Sequence, residues 1–564
     1  MLAVGGWLWS LHARAWDLGG RSPVLGYDAA QYAVAARELA EHGRLATSFA
    51  LPIELSQHPR PPWPLAAVQP GLVVAEALVD RIVPHALVRP SQREWLSLAW
   101  PMASFFALAL LLVFTSARLL GAASEGTRWI PWLGGGVIAL GFLLDPEAQH
   151  FAAGGFTELP FTLGVVLALA LVASGAAVRR PWLFGLLLGV TGAFRANMLW
   201  LAPAFAVGVA VLAPPSLRLR AGLAVMLGYA VPLVPWWLYK WHSFGAPSAD
   251  LSRWMLWEGV EGRTWFTMMH LPETPHVPAG PKALALLADK IGRNLGTLSL
   301  SLATGPRALW LGALITWLWT RPPKPLAVAG VLVLVQLALG LLAAAASIPW
   351  LRYVFPARIP FEAAGVLATW ALIARVPDQP LGPSGRQVLR AGVAMLALLW
   401  ATWQCGLGLA EARSTAADRG IPSVATLNDL GARLNSEMAP DEALMSNLGP
   451  TLAWHARRPV LHLALGPEDL DACRSRLTFT QVLLVFRDSK RAWTEWQEAM
   501  EPESERRHPE WNVARARRWR TDDGFAVVWL ELGAPRPRFA SAAPGRSANH
   551  GDAAHPVRLA GVHP

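Results

Sequence analysis

Apolar runs of about twenty residues, separated by short polar segments, dominate the chain as far as Leu409. Apolar runs with few charges predict membrane-crossing helices over Trp95–Leu119, Trp129–Leu144, Glu158–Val178, Gly222–Trp241, Leu298–Trp319, Leu326–Ala346, Phe361–Ala374 and Ala391–Leu409. Trp182–Phe194 and Met198–Leu212 read as a pair of shorter apolar helices hinged at Arg195-Ala-Asn197. Met1–Leu11 is apolar but too short to span alone, and it reads as part of a first span. The pattern therefore predicts a mainly α, polytopic membrane bundle of about eleven spans.

The polar segments carry the rest of the plan. Gly26–Val88 is a long polar loop in which the spacing predicts two amphipathic helices, Ala29–His42 and Ala66–Val83. The first places Tyr32, Ala36, Leu39 and Ala40 on one side and Arg37, Glu38 and Glu41 on another, the pattern of a helix lying on a bilayer surface. Arg118 with Arg128, Arg179-Arg180, Arg218 with Arg220, Arg321 with Lys324, and Arg375 with Arg386 and Arg390 all fall on one side when the spans alternate. Basic short loops mark the cytoplasmic face, so Gly26–Val88 and everything after Leu409 are expected outside the cytoplasm of an inner (cell) membrane protein. Beyond the last span, short apolar strands alternate with helical runs across Val424–Leu532, which predicts a small soluble α/β domain. The expected division is a membrane domain over 1–410 with its external loop at 13–94, an α/β domain over 424–533, and a disordered Pro-, Ala- and Arg-rich tail over 534–564.

Composition agrees with the pattern. The 564 residues are 53% hydrophobic and only 16% charged, against about 25% charged in soluble proteins. The net charge of +10 is spread between apolar runs and through the C-terminal third, so it does not point to nucleic acid. Membrane lipids are the expected surroundings, with 29 tryptophans suited to interfacial anchoring. Cys405 lies in an apolar run and Cys473 in a soluble region, so a disulfide between them is not expected. The N-terminus lacks the early positive region and small-residue cleavage site of a signal peptide.

Chemistry is expected in the polar loops on one face. Asp28 opens the first amphipathic helix and suits a general base, but Asp28 with Gln31 three residues on also suits a helix cap. Asp145, Glu147, His150 and Glu158 lie close together in LLDPEAQHFAAGGFTELPF and offer oxygen and nitrogen ligands to a divalent cation. The same residues suit a turn before Pro146 and an acidic start to the next helix, so no cofactor is required. Arg195 sits between apolar helices, where a charge is costly unless it faces water or an anion. In WLRYVFPARIPF, Arg352, Tyr353 and Arg358 share one expected face; guanidinium groups suit phosphate oxygens, while headgroup snorkelling suits Arg358 better. His58-Pro59-Arg60-Pro61-Pro62 is a rigid turn that places Glu54 or His58 over the membrane as ligand or lid. RWMLWEGVEGRTWFTMMH suits membrane anchoring first and sugar stacking second.

The order of these motifs resembles the GT-C class of membrane glycosyltransferases, in particular the protein O-mannosyltransferases and lipid A aminoarabinose transferases. The matching elements are GYDAAQY, HPRPPWP, GGFTELPFTLGVVLAL, GLLLGVTGAFRANMLWLAP and RYVFPARIPF, over about residues 26–410. The resemblance implies a polyprenyl-phosphate-linked sugar donor and a lipid, glycan or protein acceptor. It also implies Asp28 as catalytic base, with Arg195, Arg352 and Tyr353 on the donor phosphate side. The chain departs from relatives that carry an acidic pair in the first loop, because Ala29 follows Asp28. A transporter or flippase for a lipid-linked saccharide is the rival from another class; it requires charged or broken helices at mid-membrane.

Overall fold

The computed structural model describes residues 24–66, 68–83, 93–121, 130–302, 305–375, 378–416, 420–488 and 492–534. Its first layer is helical. α1 (Tyr27–His42) and α2 (Pro70–Ile82) precede the apolar helices α3 (Arg93–Gly121), α4 (Ile130–Leu143), α5 (Pro146–Ala153), α6 (Glu158–Ala173), α7 (Pro181–Phe194), α8 (Met198–Leu212) and α9 (Arg218–Phe244). After a loop come α10 (Gly280–Leu302), α11 (Arg307–Trp319), α12 (Lys324–Ala346), α13 (Phe355–Ala374) and α14 (Asp378–Ala416). The bundle core holds Phe105, Phe151, Phe161, Phe205 and Phe355. α7 and α9 pack with their backbones close together: a Cβ on Gly185 would sit 2.2 Å from the Val225 carbonyl oxygen.

Among the described residues, four helices are long and apolar enough to cross a membrane: α3, Pro215–Phe244, α12 and Gln387–Gly408 within α14. The pair α5 and α6, bent by 119°, counts as a fifth only when taken together as one broken span instead of a re-entrant loop. Most of α4, together with α7 and α8, is apolar but shorter; a 14-residue helix such as α7 rises only about 21 Å against a hydrocarbon core of about 30 Å. These lengths do not support the expected count of eleven full spans. Two of the expected runs are also broken. Leu298–Trp319 is divided between the end of the amphipathic α10 and the whole of α11, and Glu158–Val178 ends as a helix at Ala173. Met1–Leu11 and the tail from 535 lie outside the described residues.

The first loop forms a two-stranded antiparallel ribbon of β1 (Ala46–Thr47) and β3 (Trp63–Pro64), and the second layer is built on a six-stranded sheet in the order β2-β5-β4-β6-β8-β7, formed by β2 (Phe49–Ala50), β4 (Ala443–Ser446), β5 (Val460–His462), β6 (Phe479–Phe486), β7 (Val513–Arg520) and β8 (Ala526–Leu532). β2, β5, β4 and β6 run parallel, and β8 and β7 extend the sheet antiparallel. The parallel edge strand comes from the first loop, so Phe49 pairs with Val460 across most of the chain. The helices α15 (Val424–Glu437) and α16 (Gly449–Ala456) belong to the C-terminal part. One hydrophobic cluster joins Val24, Val34 and Phe49 of the first loop to Trp254 and Trp257 of the middle loop and to Leu427, Leu452 and Val485.

Two expectations change here. α1 buries its small apolar residues against protein: Ala29, Ala30, Ala33, Val34, Ala35 and Ala36 are buried, and Arg37 donates to the backbone oxygens of Ala453 and Trp454 in α16. Trp254 and Trp257 serve neither as membrane anchors nor as sugar platforms, because both are buried in the core of the second layer. An amphipathic pattern specifies a face to bury, and here a protein layer supplies the partner.

Candidate active site

The site forms where α1 meets the ends of α6, α7 and α12. Gly26, not Asp28, occupies the cap position of α1, and it offers no side-chain cap. The expected cap is therefore not made. Asp28 lies in the first helical turn, where the dipole favours a carboxylate. Its Oδ2 accepts a hydrogen bond from Nη2 of Arg352 at 2.9 Å.

Glu158 begins α6 and is fully buried. Its Oε1 is 2.7 Å from Nη1 of Arg195 and 3.5 Å from Nε of Arg352. Arg195 leaves the end of α7 with extended backbone and also donates to Oγ1 of Thr157 at 3.2 Å. The break between α7 and α8 thus puts Arg195 at the carboxylate that makes its burial affordable. The Tyr353 ring lies under both guanidinium groups, 5.8 Å from that of Arg195 and 5.5 Å from that of Arg352, and Phe156 is 5.0 Å from the latter. Gly155 lets the turn before α6 come against α1: its φ is +71°, and a Cβ there would lie 2.8 Å from that of Ala29.

Asp28, Glu158, Arg195, Arg352 and Tyr353, drawn from four parts of the chain, therefore form one charge-balanced cluster of two carboxylates and two guanidinium groups. Exposure is graded across it. The Asp28 side chain is 37% exposed, that of Arg352 22%, and that of Glu158 0%. Such a cluster can present cations to an anion while leaving one carboxylate within reach of an incoming hydroxyl or amine.

The remaining predicted residues lie elsewhere. Asp145 caps α5 by accepting from the backbone nitrogen of Ala148 at 2.9 Å. Both its oxygens also take Arg358, at 2.8 and 3.0 Å. Arg358 donates to Glu147 at 3.0 Å as well, and Glu362 links this group to Arg307 at 2.8 Å. Arg358 is thus separated from Arg352 and Tyr353, and it pairs inside the protein instead of snorkelling. His150 is exposed, with its ring 5.3 Å from that of Phe156. Glu54 is buried and accepts from the Leu51 backbone nitrogen at 2.8 Å; burial pushes its carboxyl up to about 7. The His58 ring meets Phe244 edge-on at 5.2 Å.

The set Asp145, His150 and Glu158 is not gathered for a divalent cation. Asp145 is held by Arg358, and Glu158 by Arg195 and Arg352. Among the described residues, no group of three or more His, Cys, Asp or Glu is placed to hold a metal ion. Sequence reasoning passed over Thr157, Phe156 and Gly155. The Thr157-Glu158 pair beside a glycine and a helix start was the available signal, but its partner Arg195 was not readable from it.

The second layer fixes α1 along its length. Thr451 Oγ1 donates to the Leu25 carbonyl at 3.2 Å, just before Asp28. Arg37 reaches Trp454 O at 2.8 Å and Ala453 O at 3.0 Å further along. Asp28 is therefore carried on a helix held from both layers.

Solved structures share the fold. ArnT from Cupriavidus metallidurans bound to undecaprenyl phosphate matches with a TM-score of 0.53 at 16% identity, over 94% of this chain and 97% of that one. ArnT in the apo state matches with a TM-score of 0.52 at 15% identity, over 93% and 98%. The Archaeoglobus fulgidus oligosaccharyltransferase in complex with Zn and sulfate matches with a TM-score of 0.51 at 13% identity, over 93% of this chain and 72% of that one. No protein-family model matches the chain, and no curated protein shows significant similarity to it. At these identities the likeness is one of fold, and the fold is that of the GT-C membrane glycosyltransferases.

Proposed function

We propose that this chain is an inverting glycosyltransferase that moves a sugar from a polyprenyl-phosphate carrier to a lipid, glycan or protein acceptor at the extracytoplasmic face of the inner membrane. The observation that carries this reading is the 2.9 Å pair of Asp28 with Arg352, set on a buried Glu158 and Arg195. The undecaprenyl phosphate of the similar ArnT structure supports the choice of donor. The arginines between apolar helices support the orientation.

The carrier phosphate is a ready leaving group, so the protein has to orient the acceptor, take its proton and stabilise the departing charge. Arg352 is shared between two carboxylates of unequal burial. A donor phosphate competes for that guanidinium, and the exposed partner, Asp28, yields before the buried Glu158 does. Release from Arg352 leaves the Asp28 carboxylate free to accept a proton as the donor arrives. The acceptor oxygen or nitrogen then attacks the anomeric carbon while its proton passes to the Asp28 carboxylate. The bond from the anomeric carbon to the phosphate oxygen breaks, and its electron pair leaves with the phosphate against Arg352 and Arg195.

The test is transfer from an isotope-labelled polyprenyl-phosphate sugar by purified chain in the presence of membrane acceptors. Labelled product that requires Asp28 is expected. Movement of intact donor across the bilayer without bond cleavage would replace the reading with that of a flippase.

A further inference from the structure

Lys290 is a buried cation outside the cluster. Its side chain lies on α10, with only 3% of the residue exposed. Nζ donates to three backbone carbonyls: Met255 at 3.1 Å, Leu256 at 3.0 Å and Ser347 at 2.6 Å. The ammonium has three hydrogens, so all are used. No carboxylate forms an ion pair with it among the described residues; Glu258 acts on it only at longer range. One turn further along α10, Asn294 Nδ2 donates to the Ala345 carbonyl at 2.9 Å.

The acceptors have a common meaning. Ala345 and Ser347 are at the C-terminal end of α12, where carbonyls lack partners within the helix and the dipole favours a cation. Lys290 and Asn294 thus cap α12 from a different helix. The chain leaves that cap and enters the short turn Leu351–Tyr353, which carries Arg352 and Tyr353 into the cluster. The other two acceptors are in the turn Leu251–Trp257, whose Trp254 and Trp257 are embedded in the second layer. One ammonium group therefore ties together the exit of α12, helix α10 and the middle loop.

We propose that Lys290 is a positioning residue for Arg352, fixing the angle at which the chain delivers that guanidinium to the donor phosphate. The proposal rests on Arg352 being a phosphate-side residue, as argued above. A buried ammonium held only by carbonyls is costly to desolvate, and its three bonds join the middle loop and the end of α12 to α10.

Binding of undecaprenyl phosphate to the full chain in nanodiscs tests this. Wild type, Lys290→Met, Arg352→Ala and the double variant form a cycle. Lys290→Met is expected to weaken binding about tenfold, since hydrogen bonds to a charged group are involved. In the Arg352→Ala background the same substitution is expected to change binding less than about twofold, because Lys290 acts through Arg352. Lys290→Arg is expected to recover part of the loss. Equal effects in both backgrounds, or unchanged binding by Lys290→Met, would overturn the proposal. If Lys290→Met does not fold, Asn294→Ala takes its place in the cycle, with about a threefold loss expected and the same criterion. Unchanged binding by Arg352→Ala alone would instead remove the phosphate role of Arg352, and the proposal with it.

Discussion

Two clusters of arginine and carboxylate sit on neighbouring stretches of the same segments, and they have different characters. Glu147 and Glu158 flank one bend, and Arg352 and Arg358 flank another. Glu147 joins Arg358 and Asp145 in a cluster where the Arg358 side chain is 7% exposed and its two terminal nitrogens are both engaged. Glu158 joins Arg352 in a cluster that opens through Asp28. The first has three carboxylates against two guanidinium groups, counting Glu362 and Arg307, and it pins α5, α11 and α13 together. The second is balanced and ends on a carboxylate, Asp28, whose side chain is 37% exposed. Residue type alone does not separate a structural ion network from a reactive one. Graded exposure does, because a reacting group has to meet both its partner and its substrate.

The largest expected effect comes from breaking the closed cluster. Arg358→Ala leaves Asp145 and Glu147 buried without their cation and should cost about 3–5 kcal/mol, read as poor expression and a lower melting temperature in detergent. Replacing the group together, as Asp145→Asn, Glu147→Gln and Arg358→Met, should recover most of that stability and retain transfer. A triple variant that melts normally but transfers nothing would make this cluster part of the active site and erase the distinction.

Asp28→Asn probes the open cluster next. Its melting should stay close to wild type, and turnover should fall at least ~100-fold, as for loss of a positioned general base. Wild-type turnover in this variant would leave Asp28 as a structural partner of Arg352 only. Arg352→Ala should weaken donor use by about 1.5–3 kcal/mol and acceptor use by less, in steady-state measurements that vary each substrate in turn. Equal losses toward both substrates would argue against a phosphate contact. The smallest expected change is that of Thr157→Val, which removes the hydroxyl that accepts from Arg195. A loss of about 1 kcal/mol in donor use with unchanged melting is expected; a change in melting alone would place Thr157 on the structural side of the comparison.

The sequence by itself determined a helical membrane bundle and marked the residues whose burial demands a partner. Arg195 stood out because a guanidinium between apolar helices is costly unless it faces water or an anion, and Glu158 as a candidate cation ligand or an acidic start to an apolar helix. Both signals are local: periodicity and the cost of desolvating a charge are properties of a short window. Tertiary structure alone decided which charges meet. Asp28 and Arg352 are 324 positions apart, and Arg352 and Arg358, close in sequence, go to different clusters. The two-residue edge strand Phe49–Ala50 is too short to carry any alternating pattern, and Lys290 bonds only to backbone oxygens, which every residue possesses. Pairing energies depend on distance and dielectric in the folded chain, and neither quantity is written in the order of the residues.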